Sequence, residues 1–368
     1  MTSKQVLKSM SPYKPGKQIE DVKKQYGLSR IVKLASNENP FGFSNKVKEE
    51  LGQWMSQLEV YPDGYSTELR MALADKLKVE PDQLVFGAGS DEVIEIICNS
   101  YLYPGTNTIM ATPTFPQYKH NAVIEGADIK EVPLKNGYHD VKKMVENIDE
   151  QTKILWLCSP NNPTGCHINK EEFEYVMKTC PSDVLVVFDE AYYEYVDTED
   201  YPNTVEALKQ YDNLIVLRTF SKAYGLAGLR VGYGVANEEI TRALNVTRGP
   251  FNTTSFSQKA AVIALQDETF LQETFLNNKA NKQSFLSFLQ GEGLAFDDSQ
   301  TNFVFVHLPT TGDEAFEYLL SKGFIVRSGE ALGRPNGIRI TIGKKEDMEE
   351  LQSRLQEFLS LKKEKKID

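Results

Sequence analysis

The stretch TFSKAYGLAGLR, residues 219–230, decides how this chain is interpreted. It follows the run Leu214 to Leu217, which has the length and branched side chains of a buried strand, and its small residues indicate a loop. Lys222 is therefore expected just past a strand end, where open α/β sheets bind ligands. The loop also carries two hydroxyls and a fixed positive charge, those of Thr219, Ser221 and Arg230. These groups suit an anion beside a reactive amine, although a solvated surface lysine would have the same neighbours.

Composition and charge restrict the classes of partner. The 368 residues carry a formal net charge of −11, which argues against broad binding to nucleic acid or anionic membranes. The first ten residues, MTSKQVLKSM, contain no apolar core of a signal peptide, and no uncharged apolar run of about 18 residues follows. We therefore expect a cytoplasmic protein. The four cysteines and four histidines are dispersed without chelating or CxxC spacing, so neither a disulfide framework nor a metal site is expected.

The apolar pattern predicts an α/β fold. Near-continuous apolar runs indicate strands covered on both faces, hence a mostly parallel sheet; they lie at 84–86, 107–111, 128–134, 153–158, 184–188, 214–217 and 229–235. We divide the chain into an N-terminal arm (1–30), a large α/β domain (31–255) and a smaller α+β domain (256–368). Residues 31–45 are also candidates for packing on the small domain. The small domain is expected to begin with a long helical stretch over about 256–290.

Three polar loops follow strands of the large domain. SPNNPTG (159–165) follows one strand, DEAY (189–192) the next, and the lysine loop a third. Because the ends of parallel strands share one edge, we expect Asn162, Asp189, Tyr192 and Lys222 to converge there. Asp189 is informative because a carboxylate at the end of a buried strand is costly without a cationic partner. A protonated pyridine nitrogen is such a partner.

The glycine loop GAGSDE (87–92) stands between a strand and a helix. Glycines and free N–H groups at a helix start bind phosphate well. The loop matches neither the nucleoside-triphosphate nor the dinucleotide motif, and Ser90 and Asp91 are also ordinary helix-capping residues. Taken alone, the loop could be either a phosphate-binding loop or an ordinary helix start.

Taken together, the motifs NNPTG, FDEAY and TFSKAYGLAGLRVGY resemble those of the fold-type I pyridoxal-phosphate aminotransferases. The segments SPYKPGK, IVKLASNENPFG, YPDG, GAGSDE and IRITIG are similar to the branch of this family that acts on histidinol phosphate. The resemblance covers about residues 10–360. It implies a large domain with a mostly parallel, seven-stranded type of sheet and a smaller α+β domain.

The resemblance also implies how pyridoxal 5′-phosphate is held. Lys222 forms a Schiff base with it and shuttles a proton, Asp189 pairs with the pyridine nitrogen, and Tyr192 with Asn162 contacts the phenolate oxygen. The phosphate is implied to bind near Gly89, Ser90, Asp91, Thr219, Ser221 and Arg230. Phe115 occupies the place of the aromatic that stacks on the ring. Tyr61 is implied to reach the phosphate of a neighbouring subunit, hence a homodimer with shared active sites.

Substrate recognition is implied to depend on arginines. In Gly337 to Ile342 the isoleucines alternate onto one strand face, so Arg339 points to the other and is the implied carboxylate binder. Arg327 is a second candidate, and Asn37 would assist. The implied reaction converts histidinol phosphate and 2-oxoglutarate to imidazole-acetol phosphate and glutamate. An aromatic-amino-acid aminotransferase and a decarboxylase of a phosphorylated amino acid remain alternatives, because both share the cofactor motifs; a non-catalytic relative would need a damaged set.

Overall fold

The structure, a computed structural model, describes residues 3–12 and 17–364. Most of the predicted motif SPYKPGK (residues 13–16) and the end of the lysine-rich tail (365–368) lie outside the described residues. The strands are β1 Val32–Lys33, β2 Leu84–Gly87, β3 Asn107–Thr112, β4 Asp128–Pro133, β5 Thr152–Cys158, β6 Leu185–Asp189, β7 Leu214–Thr219, β8 Gly232–Ala236, β9 Phe303–His307, β10 Phe324–Ile325, β11 Arg327–Ser328 and β12 Gly337–Thr341.

Helices cover the sheets and fill the connections between strands. They are α1 Ile19–Tyr26, α2 Asn45–Leu51, α3 Thr67–Leu77, α4 Ser90–Tyr101, α5 Gln117–Ile124, α6 Val141–Glu146, α7 Lys170–Thr179, α8 Thr204–Ala207, α9 Glu238–Thr247, α10 Ser255–Gln266, α11 Glu268–Gly291, α12 Gly312–Ser321 and α13 Lys345–Glu364. None of these helices in the described part of the chain is long and apolar enough to cross a membrane.

The largest sheet has seven strands among the described residues, in the order β2-β8-β7-β6-β5-β3-β4. Strands β7, β6, β5, β3 and β4 run parallel, whereas β8 runs antiparallel to both β7 and β2. Along β5, Leu155 and Leu157 face one apolar cluster while Ile154 and Trp156 face another. Both faces of the sheet are thus buried, which confirms the predicted α/β fold. The carboxyl ends of β5, β6 and β7 meet at one edge.

Two small sheets form the other part of the molecule. The order β11-β12-β9 is antiparallel, and β1 pairs in parallel with β10. The neighbouring strands β10 and β11 therefore lie in different sheets, because the chain changes partner at Val326. Strand β1 lies in the segment 31–45, so this pairing joins that segment to the strand Phe324–Ile325.

The predicted helical stretch at 256–290 consists of two helices, α10 and α11, because the Asp267 side chain accepts a hydrogen bond from the Phe270 N–H (3.4 Å) and starts a new helix. Helix α10 packs against α2 and α3, and its Ala260 and Ala261 lie in a core of the large sheet. Helix α10 thus packs with the large sheet, although it follows the predicted domain boundary at 255/256, and that boundary stays a prediction.

The lysine loop is held against the N-terminal segment at a glycine. Gly225 has a φ of +72°, and a Cβ on it would lie 1.9 Å from the main-chain oxygen of Gly42. Gly228, three residues later, has nothing within 4 Å of such a Cβ and no positive φ. Only the first position therefore requires glycine.

We predict that Gly225→Ala destabilises the protein by about 3 kcal/mol, because left-handed backbone and a steric clash add together. Gly228→Ala is the matched control and should change stability by less than about 0.5 kcal/mol. Urea unfolding of both variants measures the difference. Equal stability of the two variants would contradict the described approach of the loop to Gly42.

Candidate active site

A cavity of about 470 Å³ lies at the carboxyl edge of the large sheet, facing the small sheet. The structure brings nearly all sequence-predicted site residues to its wall: Asn37, Ser90, Asp91, Phe115, Asn162, Asp189, Tyr192, Thr219, Ser221, Lys222, Arg230, Arg327 and Arg339. Gly89 lies beside the cavity, and Tyr61 lies away from it. The convergence of three strand-end loops is thus a property of the fold.

Asp189 ends β6 with its side chain buried, at 3% exposure. Tyr118 donates its hydroxyl hydrogen to Oδ2 at 2.6 Å, and the Ala191 N–H donates to Oδ1 at 3.1 Å. Burial raises the pKa of Asp189 to about 6, and the two hydrogen bonds oppose that rise. Since both donors are neutral, a cationic ligand in the cavity would stabilise the ionised carboxylate further.

Lys222 follows β7 and is partly buried. Its Nζ donates to the Ser36 carbonyl at 3.2 Å and lies 5.7 Å from the centre of the Tyr192 ring. Burial, together with the cations of Arg339 and Arg230, lowers the pKa of Lys222 to about 8. Near neutral pH a larger fraction of this amine is therefore unprotonated than in an ordinary lysine. The unprotonated amine is the form that attacks an aldehyde.

The start of α4 and Arg230 form a phosphate-sized anion site. Gly89, the residue before α4, has a φ of +82°, and a Cβ there would lie 2.6 Å from Arg230 Nη2. Arg230 Nη1 donates to Ser221 Oγ at 3.1 Å, and its Nη2 pairs with Asp91 at 3.3 Å. The first N–H groups of a helix and a guanidinium thus face the same space, which favours an anion.

Arg339 and Asn37 join the small sheet to the large one. Arg339 Nη1 donates to Asn162 Oδ1 at 2.5 Å, and Asn37 Nδ2 donates to Tyr192 Oη at 2.8 Å. Because Arg339 only donates, Asn162 accepts with its oxygen and keeps its amide N–H groups for the cavity. Tyr192 likewise accepts from Asn37 and keeps its own O–H to donate. Both side chains can therefore donate to a ligand oxygen, as predicted.

Tyr61 is 78% exposed and stacks on Phe251, with ring centroids 4.8 Å apart. It contributes nothing to the cavity of its own chain. Its implied contact with a neighbouring subunit stays a prediction.

Sequence reasoning missed several residues of the site. Tyr118 lies in the first turn of α5, three residues after Phe115, and this closeness in sequence could have signalled a shared site. Cys158 lines the cavity opposite Asp189 in the β5–β6 register, directly before the SPNNPTG loop. Gln117, Ala331 and Leu332 also line it, and no sequence signal identified them.

The side chains fit pyridoxal 5′-phosphate on three counts. A buried carboxylate with only neutral donors suits a pyridinium nitrogen. The cradle of Gly89 and Arg230 suits a phosphate, and the Lys222 amine with its lowered pKa suits an aldehyde. Groups for all three functions line or border one cavity.

Comparison with known proteins agrees with this chemistry. The family model described as aminotransferase class I and II matches residues 29–355. A histidinol-phosphate aminotransferase of Geobacillus thermodenitrificans (strain NG80-2) is 53% identical over 346 residues, which cover 94% of this chain and 95% of the relative. That of Bacillus subtilis (strain 168) is 53% identical over 360 residues, covering 98% of this chain and 100% of the relative.

A solved structure shows the same fold. Histidinol-phosphate aminotransferase from Sinorhizobium meliloti in complex with pyridoxal-5′-phosphate superposes with a TM-score of 0.87 at 27% identity, over 96% of each chain. The chain therefore belongs to the aminotransferase class I and II family. It is a fold-type I aminotransferase that uses pyridoxal 5′-phosphate, which confirms the resemblance seen in the sequence. The roles of its individual site residues remain predictions.

Proposed function

We propose that this enzyme transfers the amino group of histidinol phosphate to 2-oxoglutarate, giving imidazole-acetol phosphate and glutamate, a step of histidine synthesis. Relatives more than 50% identical over almost the whole chain carry the name of that activity. Support independent of those names comes from the arginines of the small sheet.

Arg327 and Arg339 are direct cross-strand partners in the antiparallel pair β11–β12, and both line the cavity. Like charges directly opposite each other destabilise a sheet. Within the described residues, the Arg327 guanidinium makes no hydrogen bond or ion pair. An anion bound between the two strands would relieve this repulsion, and a phosphate, with its higher charge, would do so better than a carboxylate. This pair is the observation that favours a phosphorylated substrate.

The remaining site residues are proposed to bind the cofactor and to move a proton. Pyridoxal 5′-phosphate supplies an aldehyde that condenses with amines and a pyridine ring that accepts electrons. Asp189 would hold a proton on the ring nitrogen, and Arg230 with Ser221 would hold the phosphate. The Lys222 amine would take a proton from the substrate's Cα, a task that its lowered pKa suits.

We predict that Arg327→Gln raises the KM for histidinol phosphate about 10- to 100-fold, because a charge-assisted contact to the phosphate is lost. Turnover of phenylalanine, which has no phosphate, should fall far less. The surface variant Arg354→Gln in α13 is the control and should leave both substrates unchanged. Initial rates with 2-oxoglutarate as acceptor provide the measurement.

Two results would contradict the proposal. If the unaltered enzyme used phenylalanine with an efficiency equal to or higher than that for histidinol phosphate, an aromatic-amino-acid aminotransferase would be the better assignment. If the enzyme released carbon dioxide without needing 2-oxoglutarate, a decarboxylase would be the better assignment.

The proposal includes a homodimer with shared active sites. Tyr61, Phe251, Tyr65 and Val60 are large apolar side chains exposed on one stretch of surface around the Tyr61–Phe251 stack. Tyr61 from one subunit would then reach the phosphate site of the other. Aromatic side chains left in solvent in this way are typical of protein interfaces.

Subunit mixing tests this arrangement. We predict that Lys222→Ala and Tyr61→Ala each lose activity, and that co-expression of the two restores about one quarter of the activity of the unaltered enzyme. Random pairing makes half of the dimers mixed, and one of the two sites in each mixed dimer is intact. Separate expression of each variant, with mixing only in the assay, is the control. A monomer in sedimentation, or no restoration on co-expression, would contradict shared sites.

A cytoplasmic location is also part of the proposal. All four cysteines are buried and unpaired, as is usual in a reducing compartment. Recovery of the protein in an extracytoplasmic fraction would contradict it.

A further inference from the structure

Tyr118 occupies an unusual position beside the site. It lies in α5, is completely buried, and stacks on Trp156 with centroids 4.6 Å apart and planes 13° from parallel. It also meets Phe115 in an edge-to-face arrangement, with centroids 5.6 Å apart. Burial raises the pKa of the Tyr118 phenol well above its ordinary value, so the hydroxyl stays protonated. This side chain can therefore act as a fixed donor but not as an acid or base near neutral pH.

The ring of Tyr118 is fixed from the interior of the sheet. Trp156 Nε1 donates to Thr108 Oγ1 at 2.8 Å, and Thr108 Oγ1 donates to the Ile154 carbonyl at 2.9 Å. These bonds fix the indole, and the indole supports the phenol ring. A side chain held in this way has little freedom to give up when it donates a hydrogen bond.

The hydroxyl of Tyr118 ends at the carboxylate of Asp189. It donates to Oδ2, while the Ala191 N–H donates to Oδ1, so each oxygen has one donor and the carboxylate cannot rotate without breaking both bonds. Cys158 also lies beside the Tyr118 hydroxyl, and its thiol donates to the Pro160 carbonyl at 3.7 Å rather than to the carboxylate. Tyr118 is therefore the side-chain donor to this carboxylate in the described structure.

We propose that Tyr118 is a positioning residue: its hydroxyl holds Asp189 ionised and in one orientation, and its edge-to-face contact sets the plane of Phe115. These are the two groups assigned to the pyridine nitrogen and the pyridine face, so one side chain orients both contacts to the cofactor ring. The inference rests on the proposed function, because it takes those two assignments as given.

A double-mutant cycle separates positioning from simple packing. The variants are Tyr118→Phe, Asp189→Asn and the double variant. The probe is pyridoxamine 5′-phosphate, which has the ring and phosphate of the cofactor but no aldehyde to react with Lys222. Its dissociation constant from the apoprotein, measured by calorimetry, reports the ring contacts without turnover.

We expect Tyr118→Phe to weaken binding of this probe about tenfold, the effect of losing a hydrogen bond to a charged group. In the Asp189→Asn background the same change should cost less than about twofold, because the charge it supports is gone. Tyr201→Phe removes another buried hydroxyl, one that donates to the Ser159 carbonyl rather than to the Asp189 carboxylate. This control should bind the probe like the unaltered protein.

The inference would be overturned if Tyr118→Phe weakened binding of the probe equally in the unaltered and Asp189→Asn backgrounds, or in neither. If Tyr118→Phe does not fold, Trp156→Phe replaces it, with an expected loss of about threefold that again disappears in the Asp189→Asn background. The unaltered protein distinguishes the two proposals: if it binds the probe and converts histidinol phosphate while the cycle shows no coupling, only the role of Tyr118 falls. If it does neither, the proposed function falls as well.

Discussion

The site depends on a buried carboxylate, that of Asp189, whose hydrogen-bond donors in the described protein carry no positive charge. Asp189 ends a strand covered on both faces, and the donors that meet it, Tyr118 and the Ala191 N–H, are neutral. Burial alone would favour the protonated acid, so the arrangement is most stable when a positively charged ligand group lies beside it. A pyridinium nitrogen meets that need, and its protonation is what makes the cofactor ring an electron acceptor. The stability of the apoprotein and the chemistry of the holoenzyme are thereby linked through one side chain.

The small sheet completes the site by supplying charge of the opposite sign. Strands β11 and β12 place Arg327 and Arg339 opposite each other, and Arg339 reaches Asn162 and the Ala35 carbonyl across the cavity. The same guanidinium helps to lower the pKa of Lys222. In the proposed function, substrate recognition and activation of the amine therefore share a residue. An anionic substrate that neutralises Arg339 would also raise the pKa of Lys222, which couples substrate binding to proton transfer.

Much of this arrangement could be predicted from the sequence, because strand ends and their loops are local features. The apolar runs before Asn162, Asp189 and Lys222 fixed the edge of the sheet on which these residues lie. The break between α10 and α11 was missed, since the helical pattern continues across Asp267 and only its capping bond marks a new start. Tyr118 was missed because the role proposed for it depends on a hydrogen bond from α5 to the end of β6, which no local pattern encodes. Tyr61 cannot be placed from one chain, since its implied partner lies in another.

The most direct measurement is the visible absorption of the purified protein loaded with pyridoxal 5′-phosphate, with Lys222→Ala as the control. The account predicts a band that depends on Lys222, bleaches when histidinol phosphate is added, and returns on addition of 2-oxoglutarate. A band that persists with histidinol phosphate but bleaches with phenylalanine would contradict the proposed substrate. A band unchanged in Lys222→Ala would contradict the assignment of the lysine on which the account rests.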